Sequence, residues 1–313
     1  MKKNILFLIA LVLITRIAVS ADVKTKLALN WKPEPEFGGF YEGVSKGIYK
    51  KFGFDVEILE GGSGTPTPQM LMSGQTDYAI VSSEEILLTN DRDPKRKLVA
   101  VYSVFEKSPY MIMTHQNKNF KSLMALFQNS EMTISLQKGL PYVEFLIQKF
   151  SPVKAQIVPY LGGISVFENN QNLAQQGFVT SELLMAQNRK LDAKAWLVAD
   201  EGFNPYIAVL AVREEFLNKN KDQVKKMVEA TRESWLAYLK SPQETNHLMN
   251  QKNPAMAAIM MDQSLQKMKD FMGFEPLKMG QMRQQRWQDL NQQMSVLKLI
   301  SKPVQTDQIF QNF

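Results

Sequence analysis

Residues 27–62, LALNWKPEPEFGGFYEGVSKGIYKKFGFDVEILEGG, constrain the fold more than any other stretch. A short apolar strand at 27–29 runs into a polar, aromatic loop, Asn30 to Gly39. Phe40, Tyr41, Val44 and Ile48 then recur at helical spacing. Gly53 stands where glycine ends helices. Residues 54–59 form a second strand before Gly61-Gly62. Strand, helix and strand in that order are the unit of a parallel sheet flanked by helices. In such sheets ligands sit beyond the carboxyl ends of the strands, and the loop at Trp31 leaves from such an end.

The same alternation continues. Residues 61–68 are a glycine-rich loop without the Gly-Lys-Ser/Thr ending of a nucleotide P-loop. A helix starts near Pro68, where proline suits the first turn. From the residues alone the loop reads equally as a flexible turn or as backbone facing a ligand. Residues 74–83 give turn, strand and cap, with Ser82 or Ser83 capping a helix over 84–89 and the other free to face a cleft. Strands are predicted at 97–103 and 110–115, the second crossing between lobes. A short helix at 121–127 and a strand at 132–136 open a second lobe. Residues 137–142 lead into a helix with Tyr142, Phe145, Leu146 and Phe150 on one face. Its N-terminus, at Gly139 and Tyr142, reads either as a ligand-binding end or as an ordinary turn with Tyr142 in the core. A strand at 154–160, a helix over 165–175, a strand and helix start at 177–182, and strands at 195–199 and 207–212 follow. Glu182 in a first helical turn is also favourable with the helix dipole. The remainder is helical; Val224, Met227, Val228, Thr231, Trp235 and Tyr238 line one core face, and Trp287 also belongs to the core.

The chain has 313 residues, 44% hydrophobic, enough for one large or two medium domains. Residues 1–21 read as a signal peptide: Lys2-Lys3, an apolar run, then Ala18-Val19-Ser20-Ala21. That run is too short to span a bilayer. The segment holds three bases and no acid, so the formal +6 falls to +3 without it, which argues against nucleic acid as a partner. The sequence has no cysteine and two histidines, His115 and His247. Disulfides, thiolate nucleophiles, cysteine metal sites and a lipid-bearing cysteine are therefore excluded, and metal or triad constellations find little material. The acid pairs Glu34 with Glu36 and Glu84 with Glu85 read as solvated faces or helix starts. Nothing points to catalysis, so the chain reads as a binding protein rather than an enzyme, with no cofactor.

The spaced pattern LxxNWxPxxxxxGxYxGxxKGxYKKxGxDVEI, from Leu27 to Ile58, resembles the opening of the NMT1/THI5-like family of solute-binding proteins. GxxD before the strand at 78–81, the run 200–206 and the late helix around 280–290 resemble it too. The family includes binding components of importers for thiamine-precursor pyrimidines and is related to sulfonate- and nitrate-binding proteins. The resemblance implies a type II periplasmic binding protein fold: α/β, two lobes, each a mainly parallel sheet flanked by helices, with two crossover strands as hinge. It divides the chain into a discontinuous first lobe, 22–113 plus 207–313, and a second, 114–206. It also implies a periplasmic monomer without a lipid anchor, delivering a small-molecule solute to an inner-membrane ABC permease.

The implied ligand-binding residues are Asn30, Trp31, Phe37, Gly38, Gly39, Ser63, Gly64, Thr65, Ser82, Ser83, Gly139, Tyr142, Thr180, Glu182, Asn204 and Tyr206. Trp31, with Phe37 or Tyr206, would stack on a flat ring, and closure about 113–115 and 206–209 would bury it. The solute suggested first is a thiamine-precursor pyrimidine. Sulfonate or taurine, nitrate, riboflavin and an amine-bearing heterocycle are alternatives, because Phe37 stands where pyrimidine binders often carry histidine and the loop also carries Glu34 and Glu36. Two acids at the mouth would disfavour a strongly anionic solute unless they point away. An enzyme or sensor on the same fold is the less favoured alternative. The family's eukaryotic branch includes a pyrimidine synthase that uses a lysine and a histidine. The matching positions here are Val81 and Glu85, which leaves that chemistry without a donor.

Overall fold

The computed structural model describes residues 21–273 and 275–313; the signal segment, but for Ala21, lies outside them. Ten strands form two five-stranded sheets. The first joins β1 (Val23–Ala28), β2 (Phe54–Leu59), β3 (Tyr78–Val81), β4 (Leu98–Phe105) and β10 (Ile207–Arg213), in the order β2-β1-β3-β10-β4. The second joins β5 (Tyr110–His115), β6 (Thr133–Leu136), β7 (Gln156–Pro159), β8 (Leu173–Phe178) and β9 (Ala193–Leu197), in the order β7-β6-β8-β5-β9. β1 runs parallel to β2 and β3, and β6 parallel to β7 and β8. β10 lies antiparallel between β3 and β4, and β5 antiparallel between β8 and β9. All eight residues of β4 are buried, as expected of a strand covered on both faces.

β10 belongs to the first sheet although the whole second sheet precedes it, so the chain passes between lobes twice, at 106–109 and at 198–206. β5 lies wholly in the second sheet rather than crossing. The two passages are tied to each other: the Asn204 Oδ1 accepts the Ser108 N–H at 2.8 Å, and Lys107 meets Asp200 at 2.7 Å. Arg286, from the helix Gln284–Val296, reaches across both. It donates to the carbonyls of Glu106, Asn204 (2.7 Å) and Pro205 (3.0 Å), and its guanidinium lies 3.7 Å above the Tyr206 ring.

Two sequence readings change. The helix expected over 165–175 stops at Asn169, and 173–178 is β8, at the centre of the second sheet. Leu, Ala and Gln favour helices locally, but here Gln175 and Gln176 are buried between two strands. Gln175 donates to the Gly163 carbonyl at 3.0 Å, and Gln176 accepts the Gln137 N–H at 2.6 Å. The helical run after residue 37 is broken at Gly47, whose φ of 65° separates Gly38–Ser45 from Ile48–Lys51. Gly38–Ser45 packs on the long helix Lys221–Lys240. Glycine is required there: a Cβ on Gly38 would stand 2.1 Å from the Tyr238 ring, and one on Gly39 2.3 Å from Trp235.

Candidate ligand cleft

A cavity of about 240 Å³ lies between the two sheets. The first lobe supplies the loop after β1 (Asn30, Trp31, Glu34, Glu36, Phe37) and the start of β10 (Ile207, Ala208). The second supplies Tyr110, the Gln137–Tyr142 turn, Tyr160, the end of β8, Ser181 and Glu182. The loops after β1, β6 and β7 and the end of β8 leave carboxyl ends of parallel strands, where such sheets hold ligands, and the antiparallel β5 and β10 begin at the same edge. Ala208 takes a left-handed φ of 52°, a conformation costly for a side chain, at the point where β10 borders the cavity.

Three carboxylates face this space, one or two from each lobe. Glu34 and Glu36 are buried, 7% and 6% exposed, which overturns their reading as solvated acids. Pro33 and Pro35 stiffen the loop around them, and Pro35–Phe37 forms a 3-10 turn that sets both side chains inward. The Trp31 indole N–H donates to Glu34 at 3.1 Å, and the Ser181 hydroxyl reaches its other oxygen from the second lobe at 3.4 Å. Glu182 accepts the Tyr160 hydroxyl at 3.0 Å and the Phe178 N–H at 2.7 Å. Gly177 makes room for that fold-back: a Cβ there would lie 2.9 Å from the Glu182 side chain. Glu36 finds no partner among the described residues beyond its own backbone amide. Burial is the main cause raising all three acids, and their mutual repulsion adds to it for Glu34 and Glu36; Glu34 is pushed up to about 7.

The remaining walls are aromatic. Tyr110 and Tyr142 stack with ring centroids 4.3 Å apart, and Phe178 meets Tyr110 edge-on at 5.3 Å. Burial raises the Tyr110, Tyr142 and Tyr160 hydroxyls, so they stay neutral near pH 7. Among the described residues, no lysine or arginine lines the cavity.

Of the residues singled out from sequence, Asn30, Trp31, Phe37, Tyr142 and Glu182 line this cavity together. The others lie elsewhere. Gly38 and Gly39 pack on the long helix. Ser63, Gly64 and Thr65 form an exposed turn closed by the Gly62 N–H donating to the Thr65 hydroxyl at 2.8 Å. Ser82 caps the helix Ser83–Arg92 in a capping box with Glu85, and the Ser83 hydroxyl accepts the Tyr206 N–H at 2.9 Å. Gly139 takes a φ of 88° in its turn, and the Thr180 hydroxyl is buried without a partner among the described residues. Asn204 and Tyr206 belong to the crossover clasp. Sequence reasoning set Glu34 and Glu36 at the mouth of the cleft without counting them among the ligand-binding residues, and missed Tyr110, Gln137, Tyr160, Gln176, Phe178 and Ser181. A Pro-x-Pro loop after a strand was an available signal for the two acids; nothing local marked the others.

The family model described as NMT1/THI5 like matches residues 34–245, about two thirds of the chain. The chain belongs to the NMT1/THI5-like family. No curated protein matches it in sequence. Solved structures share its fold. The alkanesulfonate-binding protein SsuA of Xanthomonas axonopodis pv. citri, bound to MOPS, superposes with a TM-score of 0.68 at 11% identity, over 94% of this chain and 100% of that one. The periplasmic nitrate-binding protein NrtA of Synechocystis gives 0.67 at 11%, over 93% and 87%. A Candida albicans protein with the generic periplasmic binding protein fold gives 0.64 at 13%, over 92% and 96%. The two-lobed architecture is thus that of periplasmic binding proteins. No helix among the described residues is long and apolar enough to cross a membrane.

Proposed function

We propose that this NMT1/THI5-like protein is the periplasmic solute-binding component of an ABC importer. It captures a small planar solute between its lobes and hands it to an inner-membrane permease, without turning it over, and acts as a monomer. The observation that carries this reading is the interlobe cavity, walled by aromatic rings from both lobes and edged by a few polar groups, as expected of a small-molecule site. A flat ring would lie against Trp31, Phe37 and the Tyr110–Tyr142 pair. Its polar edges, once desolvated, would need partners; Asn30, Gln137, Gln176 and Ser181 are within the lining. Rotation about the passages at 106–109 and 198–206 would open and close the cleft. Nitrogen heterocycles of the thiamine-precursor pyrimidine type suit such a slot.

Protein unfolded and refolded to strip carried-over solute would be tested by thermal shift against aminopyrimidines, thiamine, riboflavin, taurine, alkanesulfonates and nitrate. A ligand at 100 times its Kd stabilises by about 2.7 kcal/mol, a readily measured rise. A selective rise with one class supports the reading; no rise with any class counts against it.

A further inference from the structure

We infer that the solute is a cation: an ammonium, amidinium or protonated amino-heterocycle whose N–H groups are taken by Glu34, Glu36 and Glu182. This rests on the solute-binding reading of the cleft. Three carboxylates from two lobes face one cavity, and among the described residues no basic side chain lines it. Lys32 lies in the same loop but is exposed. Glu34 and Glu182 each hold protein donors, whereas Glu36 is buried, borders the cavity and has no side-chain partner among the described residues. A buried carboxylate held only by its own backbone amide is under-satisfied, and a cationic ligand would supply further N–H bonds in the strong, charge-assisted form. An anionic solute would find no basic side chain among the described lining residues to neutralise it. The facing rings of Trp31, Phe37, Tyr110, Tyr142, Tyr160 and Phe178 add cation–π attraction to a bound ammonium. A bare metal ion fits poorly: no group of three or more acidic, histidine or cysteine side chains among the described residues could hold one.

The same acids make binding proton-linked. In the empty cleft, burial and mutual repulsion favour their neutral forms. An entering cation favours the ionised forms, so for a solute that keeps its charge binding releases protons and tightens as pH rises toward the folded value of Glu34, about 7.

The test uses two matched series on refolded protein by calorimetry at pH 7.5. One is 4-amino-2-methylpyrimidine carrying aminomethyl, hydroxymethyl or carboxylate at carbon 5. The other is benzamidine, benzamide and benzoate. The inference expects the cationic member of a series to bind at least tenfold more tightly than its neutral partner, with proton release on binding. It expects Glu36→Gln to remove most of that preference. Equal or tighter binding of a neutral or anionic member, or a preference untouched in both Glu36→Gln and Glu182→Gln, overturns the inference and leaves solute binding standing. If no member of either series binds and the broader solute panel also gives no shift, the solute reading itself falls, and the inference with it.

Discussion

Two groups of buried charge sit at the lobe boundary, and the fold treats them oppositely. At the crossovers Arg286 is surrounded: three backbone carbonyls accept from it, the Asn204 side chain adds a contact at 3.2 Å, and the Tyr206 ring lies beneath it, leaving only its Nε–H unpaired. In the cleft Glu36 has no side-chain partner among the described residues, and Glu34 and Glu182 are held by neutral donors rather than by an ion pair. A cluster whose partners all come from the same chain reads as structure. A cluster that folding leaves unsatisfied, beside a cavity, reads as waiting for something the chain does not contain. The difference locates function more sharply than burial alone, because Arg286, only half-buried, is almost fully engaged while the more deeply buried Glu36 is not.

The contrast breaks first at Arg286. Arg286→Met would leave the Glu106, Asn204 and Pro205 carbonyls without their donor. Hydrogen bonds to a charged group contribute more than neutral ones, so the variant is expected to lose about 3 kcal/mol of unfolding free energy in urea titration. An unchanged midpoint would show that the clasp is decorative and remove one side of the comparison.

The cleft acids should behave in reverse. A carboxyl whose folded value is raised binds its proton more tightly in the fold than in the unfolded chain. It therefore costs no stability below about 4.5, its ordinary value, and costs progressively more as pH rises to its folded value. For Glu34 that window ends at about 7, and for the buried Glu84 at about 8. The ligand-free protein should accordingly be most stable near pH 5 and lose stability up to about pH 8. Glu34→Gln should recover roughly 3 kcal/mol at pH 8 and under about 1 kcal/mol at pH 5, read by urea unfolding at the two pH values. A wild-type profile that rises from pH 5 to 8 would contradict the picture of strained acids.

A third substitution separates close packing from ligand contact in the stretch that follows the cleft loop. Gly39→Ala places a methyl where Trp235 already stands, 2.3 Å away. Overpacking of this kind costs about 2 kcal/mol, and thermal unfolding should show it in the ligand-free protein. Full stability would mean that the helix Gly38–Ser45 can shift away from Lys221–Lys240.

The outline of the fold was legible because its signals are local. The strand–helix–strand unit, the glycine stops and the apolar runs of β4 and β10 each follow from spacing and burial on both faces. β8 was not legible: its Leu-Ala-Gln-Gln run favours helix, and only pairing with β5 and β6 makes it a strand. That error hid the inward-facing glutamines of the second lobe's wall, because Gln176 reaches the cavity from that strand ahead of Gly177 and Phe178. In the cleft, Trp31, Phe37 and Glu182 could be singled out because the resemblance carried them. Glu34 and Glu36 were misread because acids spaced two apart usually face water. Burial here depends on two prolines turning the loop inward and on a second lobe arriving from more than a hundred residues downstream. Ser63, Gly64 and Thr65 show the converse: small polar loop residues suited to ligand contact, held in a turn of their own.

The smallest expected effect on the fold, and the sharpest on the cleft, belongs to Trp31. Its ring is about one-third exposed, so Trp31→Ala removes little buried surface and should leave unfolding nearly unchanged. With a bound solute the same ring would be covered, and its loss should weaken affinity by roughly tenfold or more, about 1.4 kcal/mol. Trp31→Phe keeps the stacking face and removes the indole N–H that Glu34 accepts. It should retain most affinity for a planar solute while raising Glu34 further, so that affinity becomes more dependent on pH. Calorimetry of both variants across pH 6 to 8 checks the pair: a Phe variant as weak as the Ala variant would move the role of Trp31 from stacking to holding Glu34 in place.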